Sequence, residues 1–439
     1  MNIIQSDEFD FYWKNCIVLE DDVQVENVVK DIIAKVRIEG DAAVRRYTAR
    51  FDRSVPECFK APISLVNDAA AELRLSDPAL VAAMELAADH IKRFSQKQKE
   101  QFSDFEYEMD TGLVTGQKII PVERAAVYVP AGRFPLFSSV LMGIIPALIA
   151  GVEEVILVSP PLEDSLPDRR VLAAAGIALQ AVGCSGKLKI FAVGGAQAIA
   201  ALAIGTESIP RVDLITGPGN KYVAAAKKLL FGEVGIDFIA GPTDVLIIAD
   251  GSAECKCCAD DLVAADMIAQ AEHDPDARAR ALVPNQEMAD KIIAAVDNRL
   301  AALEGTAARA SIDEGGLIIV YQTRDEAIRI ANVIAPEHLE LHVADAENWI
   351  PRLTNFGSLF IGSRSAEVLG DYSAGINHTL PTSESARFTG GLSVRNFLKT
   401  VTTLRCTAGE GFAKACNAAE ILARAEGLEG HAMSAAARK

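Results

Sequence analysis

Two residues with metal-binding side chains stand three positions apart in the acidic segment DDLVAADMIAQAEHDPD, residues 260–276. Residues i and i+3 of a helix lie on one face, so the amide of Gln270 and the imidazole of His273 are expected to point the same way. Nitrogen and oxygen atoms of these types bind metals such as zinc. The pair therefore indicates one side of a metal site, although a solvent-exposed helix end explains the same spacing.

The chain contains six histidines, which makes the surroundings of each one informative. His90 follows an alanine-rich helical pattern and His342 lies in a strand-like run, so both are predicted to be structural. The other four stand in polar or glycine-bearing contexts: His273, His338, His378 and His431. Two imidazoles, one carboxylate and one amide oxygen give a four-ligand zinc hypothesis made of Gln270, His273, Asp371 and His431. The alternatives are a turn cap for Asp371 and a surface position in a terminal helix for His431.

Glu337 and His338 directly follow Pro336, where the chain is predicted to turn from extended structure into a first helical turn. A carboxylate and an imidazole at adjacent positions can act as two separate acid-base groups on one substrate if a cleft lies above them. The alternative is an acidic residue at a helix start, where the helix dipole favours it. The residues alone leave both interpretations open.

Helical and strand-like patterns alternate along the chain. Helical patterns cover residues 25–51 and 77–102, and strand-like runs at 125–129, 155–158, 188–191, 212–215 and 245–249 each lead into a helix of small residues. This alternation predicts doubly wound α/β architecture with parallel sheets. Four strand-helix units between about 128 and 239 indicate one domain inserted in another, and the alanine-rich end from about 386 is predicted to be a helical tail.

Glycine-rich turns follow several of the predicted strands, at residues 130–132, 194–197 and 217–220. Open α/β sheets bind ligands at the carboxyl ends of their strands, so these turns are a candidate cofactor rim. The dinucleotide fingerprint G-x-G-x-x-G is absent, and ordinary tight turns explain each glycine equally well.

The composition favours small molecules as partners. A formal net charge of −17 argues against nucleic acid and anionic membrane surfaces. The longest apolar run, 140–152, is too short to span a bilayer, and the first residues lack a secretory pattern, so a cytoplasmic protein is expected. Eight cysteines without framework spacing favour reduced thiols. Cys255, Cys257 and Cys258 could be interpreted as zinc ligands. We prefer to interpret them as small residues at the start of the helix that carries Gln270, because no second cysteine pair completes a zinc site.

The chain resembles the histidinol dehydrogenase family along nearly its whole length. The segments that carry the resemblance include VGGAQAIAALAIGT, GPGNKYVAAAK, GIDFIAGPTD, QAEHDP, APEHLEL, GDYSAGINHTLPT and EGLEGH. It implies zinc bound by Gln270, His273, Asp371 and His431, and a catalytic pair in which His338 takes the hydroxyl proton and Glu337 activates water. The implied reaction oxidises L-histidinol, a small amino alcohol, through an aldehyde to L-histidine with two NAD in succession.

The resemblance also implies the other site residues and the assembly. The positions that match substrate contacts are Thr243, Gln270, His273, His338, Asp371, His378, Glu426 and His431. Those that match NAD contacts are Tyr128, Gln197 and Asn220. An intertwined homodimer is implied, in which an exchanged C-terminal tail carries Glu426 and His431 into the partner's site.

The predicted fold is therefore two Rossmann-like doubly wound α/β domains with small helical terminal arms. The predicted division is an N-terminal arm at 1–25, a first α/β domain from 26–127 and 240–385, an inserted second α/β domain at 128–239, and a helical C-terminal tail at 386–439.

Some positions depart from the family pattern. The usual GPSE is Gly241-Pro-Thr243-Asp244, and Ala131 replaces one glycine after YVP. The segment ARFTGGL at 386–392, together with GPT at 241–243, resembles a branch of the family that oxidises 2,3-dihydroxypropane-1-sulfonate. Arg133 or Arg387 would offer the positive charge that the sulfonate requires. Histidinol is the preferred substrate. Two further alternatives are a zinc hydrolase, in which Glu337 activates metal-bound water, and a metal-binding protein without catalysis.

Overall fold

The computed structural model describes residues 1–16, 23–131, 135–184, 186–239, 241–252, 259–303 and 307–439. Within these ranges the chain forms two six-stranded sheets and one three-stranded sheet. The strands are β1 Asn2–Gln5, β2 Lys60–Ala61, β3 Phe105–Asp110, β4 Leu113–Pro121, β5 Arg124–Tyr128, β6 Glu154–Ser159, β7 Leu188–Ala192, β8 Leu214–Thr216, β9 Gly235–Ile236, β10 Asp244–Ala249, β11 Arg278–Val283, β12 Leu317–Val320, β13 His338–His342, β14 Ser358–Ile361 and β15 Leu398–Cys406.

The helices cover the faces of the two larger sheets or form the tail. They are α1 Phe9–Cys16, α2 Val23–Glu39, α3 Asp41–Phe51, α4 Ser64–Ser76, α5 Pro78–Lys99, α6 Phe137–Ala150, α7 Arg169–Val182, α8 Gly195–Ile204, α9 Lys221–Leu230, α10 Ala259–Ala271, α11 Gln286–Leu300, α12 Ala308–Gly315, α13 Arg324–Ile334, α14 Glu367–Tyr372, α15 Glu410–Ala425 and α16 Glu429–Ala436. Short 3-10 helices lie at Ala346–Asn348, Ile350–Arg352, Ser385–Arg387 and Val394–Phe397.

The first sheet is wholly parallel, in the order β1-β12-β11-β10-β13-β14. After β10 the chain adds β11 and β12 on one side and then β13 and β14 on the other. The strand order therefore reverses between β10 and β13. The N-terminal segment belongs to this sheet, because β1 pairs with β12 at its edge.

The second sheet has the order β2-β7-β6-β5-β8-β9 and is parallel except for β2, which pairs antiparallel with β7. Successive side chains of β5 point to opposite faces, as strand geometry requires. Ala125 and Val127 join a core with α4, α5, α6 and α7, whereas Ala126 and Tyr128 join a core with α2, α3, α8 and α9. Both faces of the sheet are thus covered, and the doubly wound α/β prediction is confirmed.

The predicted grouping of residues 26–127 with 240–385 is wrong. Helices α2 to α5 pack on α6, α7, α8 and α9 of the second sheet, and β5 lies inside that sheet. An amphipathic helix shows from its sequence that one face is buried, but not which of two sheets covers that face. The first sheet is built instead from β1 and strands between 244 and 361.

The helical pattern at 25–51 consists of two helices, because Gly40 ends α2 with a φ of 54°. The pattern at 77–102 corresponds to α5, whose start Asp77 caps by accepting from the nitrogen of Leu80 at 3.0 Å. The apolar run at 140–152 lies mostly in α6, which is buried almost all round. Among the described helices, none has the length and apolar character needed to cross a membrane.

The third sheet ties the tail to the rest of the chain. It is antiparallel in the order β15-β4-β3, and it is followed by α15 and α16, which pack on each other. The expectation of a purely helical tail is wrong, since nine tail residues form β15. Pairing with β4 supplies the hydrogen bonds of this strand, and that pairing is not visible from the tail's own composition.

Candidate active site

Most of the predicted site residues come together at the amino ends of β10 and β13, where the strand order of the first sheet reverses. Thr243 and Glu337 directly precede these two strands. The end of α10 brings Gln270 and His273, and α14 brings Asp371. Residues far apart in the sequence thus form one cluster, because two strands begin and two helices end at the same place.

Glu337 and His338 are held by strand pairing. The predicted helical turn after Pro336 is wrong, because β13 begins at His338 and the nitrogens of Gly357 and Ser358 donate to the carbonyls of Pro336 and Glu337 at 2.9 Å each. The helix-start alternative for Glu337 is wrong for the same reason. Both side chains are buried, so the backbone fixes their direction.

The hydrogen bonding of His338 defines which ring nitrogen is free. Nδ1 lies 3.2 Å from the main-chain oxygen of Asp244, which only accepts, so Nδ1 carries the proton. Nε2 is buried without a hydrogen-bond partner and lies 3.8 Å from Oδ1 of Asp371. Burial lowers the pKa of His338 to about 3. The ring is therefore neutral at pH 7 and presents an unprotonated nitrogen, as a general base does.

Glu337 forms hydrogen bonds through its carboxylate and through its backbone nitrogen, which donates to Oδ1 of Asp244 at 3.0 Å. Oε2 accepts from the hydroxyl of Thr243 and, at 3.2 Å, from the backbone nitrogen of Asp244. Burial raises the pKa of Glu337 well above its ordinary value, the Thr243 hydrogen bond opposes this rise, and the charge of Asp244 adds to it. The carboxyl therefore holds a proton to higher pH than an exposed glutamate, a property typical of acid-base catalysts.

Gln270 is fully buried on α10, so the solvent-exposed alternative is wrong for this residue. Its amide fits its surroundings with the nitrogen towards Glu367, donating to Oε1 at 2.8 Å and Oε2 at 3.1 Å. The amide oxygen then accepts from the nitrogen of Asp244 at 3.1 Å and lies 2.6 Å from the hydroxyl oxygen of Thr243, whose single proton is donated to Glu337. Gln270 and Glu337 consequently share two neighbours, Thr243 and Asp244.

Ligand atoms of His273, Glu367 and Asp371 all lie within 4.8 Å of one another. Nε2 of His273, whose side chain is 44% exposed, lies 3.7 Å from Oδ2 of the buried Asp371. Desolvation lowers the pKa of His273 and raises that of Asp371 to about 7. A divalent cation fits this donor set, because it binds neutral imidazole and stabilises the ionised form of a carboxyl that is costly to bury. Asp371 lies within α14, so the turn-cap alternative is wrong.

His378 joins the cluster to the second sheet. Its Nδ1 lies 2.9 Å from the carbonyl oxygen of Asp371, and its Nε2 lies 3.1 Å from the hydroxyl of Ser139 on α6. The neighbouring Asn377 donates to the carbonyl of Met142, also on α6, at 2.8 Å. Burial lowers the pKa of His378 to about 4, so the ring is neutral at pH 7. The candidate site therefore lies where elements of the two larger sheets meet.

The residues that match NAD contacts lie along the carboxyl ends of the second sheet. The hydroxyl of Tyr128, at the end of β5, accepts from the nitrogen of Gly195 at 3.1 Å. Gln197 donates to Asp52 at 3.3 Å, while its Oε1 is buried without a partner. Asn220 caps α9 and accepts from the backbone nitrogens of Tyr222 and Val223. The strand order reverses between β5 and β8, where open α/β sheets bind ligands.

One glycine of this rim is required by close packing. Gly217 has a φ of 109°, and a Cβ at this position would collide with the carbonyl group of Tyr128. The turn after β8 therefore approaches the end of β5 as only glycine allows. This gives the 217–220 turn a physical reason beyond a generic tight turn.

Glu426 and His431 lie outside the cluster in the single chain. Both are exposed and line a groove between α15 and α16. Among the hydrogen bonds and ion pairs of the described residues, none joins either side chain to Gln270, His273 or Asp371. One chain thus brings together three of the four predicted metal ligands.

A second group of metal-type ligands lies deeper in the first sheet, formed by Asp266, Glu340 and His342. Nε2 of His342 lies 3.2 Å from Oε2 of Glu340, and all three side chains are buried. Burial and the neighbouring Glu340 raise the pKa of Asp266 to about 8. A proton held between Asp266 and Glu340 thus reduces the negative charge of these two buried carboxyls.

Comparison with known proteins identifies the family. The profile described as histidinol dehydrogenase matches residues 18–439. The chain belongs to the histidinol dehydrogenase family. It is 43% identical over 437 residues to a histidinol dehydrogenase of Aquifex aeolicus (strain VF5), which covers 99% of this chain and 96% of the relative. The same enzyme of Pseudomonas syringae pv. syringae (strain B728a) is 43% identical over 417 residues, covering 94% and 89%.

A solved structure gives the same result. The crystal structure of histidinol dehydrogenase from Elizabethkingia anophelis matches with a TM-score of 0.87 and 33% identity, covering 100% of this chain and 97% of that one. The two-domain α/β arrangement described above is consistent with that family member.

Within this family frame, the structure adds residues that the sequence analysis missed. Glu367, Ser139 and Asp52 carried no motif; they are found only through their contacts with Gln270, His378 and Gln197. Arg387 is engaged by Glu384 and the carbonyl of Val333, away from the cluster. Arg133 and the cysteines at 255, 257 and 258 lie outside the described residues.

Proposed function

We propose that this member of the histidinol dehydrogenase family is a zinc- and NAD-dependent enzyme that oxidises L-histidinol through the aldehyde to L-histidine in histidine biosynthesis. The observation that carries the proposal is the buried, unpartnered Nε2 of His338, which lies 3.8 Å from Oδ1 of Asp371, while Nδ1 of the same ring lies 3.8 Å from Oε2 of Glu337. A free basic nitrogen is costly to bury unless a substrate or ligand uses it.

Gln270, His273 and Asp371 would hold zinc together with His431 of a second copy of the chain. When bound, zinc would orient the amino alcohol and supply positive charge near its reacting end. The amide oxygen of Gln270 and the carboxylate of Asp371 are buried, so little water competes for them. The half-exposed His273 lies on the open side of the cluster.

His338 acts as the base of both oxidations. Its Nδ1 proton is held on the carbonyl of Asp244, so Nε2 accepts the proton of the substrate hydroxyl. NAD, when bound, would accept the hydride in each oxidation. The low pKa of His338, about 3, keeps the ring neutral before the reaction, and the proton passes on to solvent as the site opens.

Glu337 serves the second oxidation. In its ionised form the carboxylate takes a proton from water as the water adds to the aldehyde carbon. The protonated carboxyl then returns this proton to the former carbonyl oxygen, which gives the hydrated aldehyde that is oxidised to the acid. The hydroxyl of Thr243 donates to the same carboxylate and holds it in place. Because burial raises the pKa of Glu337, this step requires a higher pH than an exposed glutamate would.

The remaining roles follow the positions of the side chains. Thr243, His378 and Glu426 contact the substrate, with Glu426 supplied by the second copy. Tyr128, Gln197 and Asn220 hold NAD at the carboxyl ends of the second sheet. His378 lies between the two regions, because it contacts both Asp371 and Ser139.

A homodimer with an exchanged tail completes the site in this proposal. Glu426 and His431 are exposed and away from the cluster of their own chain. Their tail also exposes large apolar side chains, namely Ile421, Leu422 and Met433, at 63–68%. Apolar surface of this kind is typical of obligate subunit interfaces.

The proposal is tested by measuring how many NADH are formed for each histidine. Zinc-loaded protein is incubated with NAD and limiting L-histidinol, and NADH is counted by absorbance against histidine formed. Two NADH per histidine support the proposal, whereas one NADH with aldehyde accumulating contradicts the second oxidation. Absence of turnover overturns the substrate, and 2,3-dihydroxypropane-1-sulfonate is then the next compound, although the engaged Arg387 gives no support for it.

A further inference from the structure

Asp244 contacts both members of the catalytic pair. Its Oδ1 accepts from the nitrogen of Glu337 at 3.0 Å, and its own nitrogen donates to Oε2 of Glu337 at 3.2 Å. Its carbonyl oxygen lies 3.2 Å from Nδ1 of His338. One residue thus sets the direction of the Glu337 carboxylate and the tautomer of the His338 ring.

The side chain of Asp244 is in turn fixed by a buried arginine. Nη1 of Arg280, on the neighbouring β11, donates to Oδ2 of Asp244 at 2.9 Å, and both side chains are buried. The guanidinium carbon lies 5.1 Å from the ring centre of Trp13 on α1. Removing one partner of a buried ion pair leaves the other charge uncompensated away from water, so each residue depends on the other for its ionised state.

Resting on the function proposed above, we propose that Asp244 is the positioning residue for Glu337 and His338, and that Arg280 is the counter-ion that holds Asp244 in place. In this role both residues act through Glu337 and His338 and not on the substrate. Asp244 and Arg280 are neighbours because β10 pairs with β11, and α1 places the ring of Trp13 against the guanidinium of Arg280. The N-terminal segment thereby contributes to holding the acid-base pair.

The arrangement makes an electrostatic prediction. The groups that face Glu337 are Asp244 on β10, Asp371 and Glu367 on α14, and His338 on β13, with Arg280 acting through Asp244. The charge of Asp244 raises the pKa of Glu337. Asp244→Asn removes that charge and lowers the pKa of Glu337. Burial raises the pKa of Asp244 and Arg280 opposes this rise, so in Arg280→Met the aspartate takes up a proton and the pKa of Glu337 falls as well. Arg280→Lys keeps the positive charge, which distinguishes this effect from general damage to the fold.

The experiment measures the protonation of Glu337 without substrate. In zinc-loaded protein, infrared spectroscopy follows the carbonyl stretch of protonated carboxyls, and the band of Glu337 is assigned by its loss in Glu337→Gln. The expected result is a midpoint below wild type for Asp244→Asn and for Arg280→Met, with Arg280→Lys close to wild type. A wild-type midpoint in Asp244→Asn, or a midpoint in Arg280→Lys that is as low as in Arg280→Met, overturns the proposal.

Kinetics supply the second readout. We expect kcat for L-histidinol to fall on the order of 100-fold in Asp244→Asn, with KM for NAD unchanged, because displacing catalytic groups by about 1 Å has this effect. Arg124→Met is the matched control, since it breaks the partly buried ion pair between Arg124 and Glu154 at the amino ends of β5 and β6 in the second sheet. It should lose stability but keep kcat, and wild-type kcat in folded Asp244→Asn overturns the proposal. If wild type itself does not oxidise histidinol, the function fails while the infrared test still decides the positioning role.

Discussion

At the scale of single residues, the candidate site combines groups whose pKa values are pushed in opposite directions by the same burial. Desolvation disfavours charge, so it lowers the pKa of His338 to about 3 and raises that of Glu337. The imidazole is thereby ready to accept a proton, and the carboxyl is able to hold one. Two acid-base groups with separated ranges suit a reaction of two successive oxidations.

Glu337→Gln should separate the two oxidations. The amide keeps the shape and the contact with Thr243 but cannot accept a proton from water. We expect the second oxidation to slow by about 100- to 10,000-fold, the usual contribution of a general base, and the first by much less. Single-turnover measurement of NADH from histidinol and from the aldehyde checks this, and equal slowing of both steps would contradict the role assigned to Glu337.

His273→Ala should lose zinc and activity together. The imidazole is one of the few ligands the single chain contributes, and an alanine leaves Asp371 without its neighbour at 3.7 Å. We expect zinc affinity to fall at least 100-fold, measured by competition with a chelating dye. His90→Ala is the control, because the hydrogen bond of His90 in the described structure is to the main-chain carbonyl of Ser373 and not to a side chain of the cluster. Full turnover by metal-free His273→Ala would refute the site.

Asp266→Asn should flatten the pH dependence of stability. The pKa of Asp266 is about 8 in the folded protein and near 3.8 when unfolded, so the folded state binds the extra proton between these values. Its contribution is therefore complete below pH 4 and is lost as pH rises towards 8. At 1.36 kcal/mol per pKa unit, roughly 6 kcal/mol is the upper bound of the loss.

Asparagine mimics the protonated acid at every pH. The free energy of unfolding, measured in urea at pH 5, 7 and 9, should therefore fall less with pH in Asp266→Asn than in wild type. Asp261→Asn on the exposed face of the same helix is the control, and it should keep the wild-type slope. An unchanged slope in Asp266→Asn would show that Asp266 is ionised in the fold.

At the scale of elements, periodicity located the strands because alternating or continuous apolar runs are local properties. The predicted strand-like runs at 125–129 and 245–249 correspond to β5 and β10, and their ends agree to within one residue. Helix partners were not predictable, since the apolar stripe of α5 fits either sheet equally well. The roles of Glu367 and Asp244 could not be predicted for the same reason, because they depend on tertiary packing. Glu367 becomes a neighbour of Gln270, and Asp244 a neighbour of Glu337, only because the fold brings α14 and the start of β10 together. The resemblance to a family supplied Gln270, His273 and Asp371, whereas spacing alone left alternatives open.

Gly217→Ala tests the close approach of β8 and β5. A methyl group here would collide with the carbonyl of Tyr128, whereas Gly232, with a similar φ of 104°, has nothing within 4 Å of an added Cβ. Both substitutions carry the left-handed backbone strain of roughly 1–2 kcal/mol. Only Gly217→Ala should weaken NAD binding, by about tenfold or more, as measured by calorimetry. Equal affinities in the two variants would contradict the placement of the cofactor at this turn.

At the scale of the whole molecule, the proposed site requires three parts of the chain. In the proposal the first sheet contributes the acid-base pair and the second sheet contributes the NAD contacts, and His378 with Ser139 joins the two regions. Glu426 and His431 of the tail lie away from the cluster of their own chain. A chain that contains all the predicted ligands and yet leaves one exposed elsewhere is expected to complete its site with another copy.

Subunit mixing decides this point. His338→Asn and His431→Asn are each expected to be inactive as homodimers, because one lacks the base and the other a metal ligand. If the tail is exchanged, a mixed dimer has one site with both changes and one site with neither. Random mixing at equal amounts makes half of the dimers mixed, so about one quarter of wild-type activity should return. If each chain completes its own site, every site in the mixture carries one defect, and mixed dimers verified by native mass spectrometry would remain inactive.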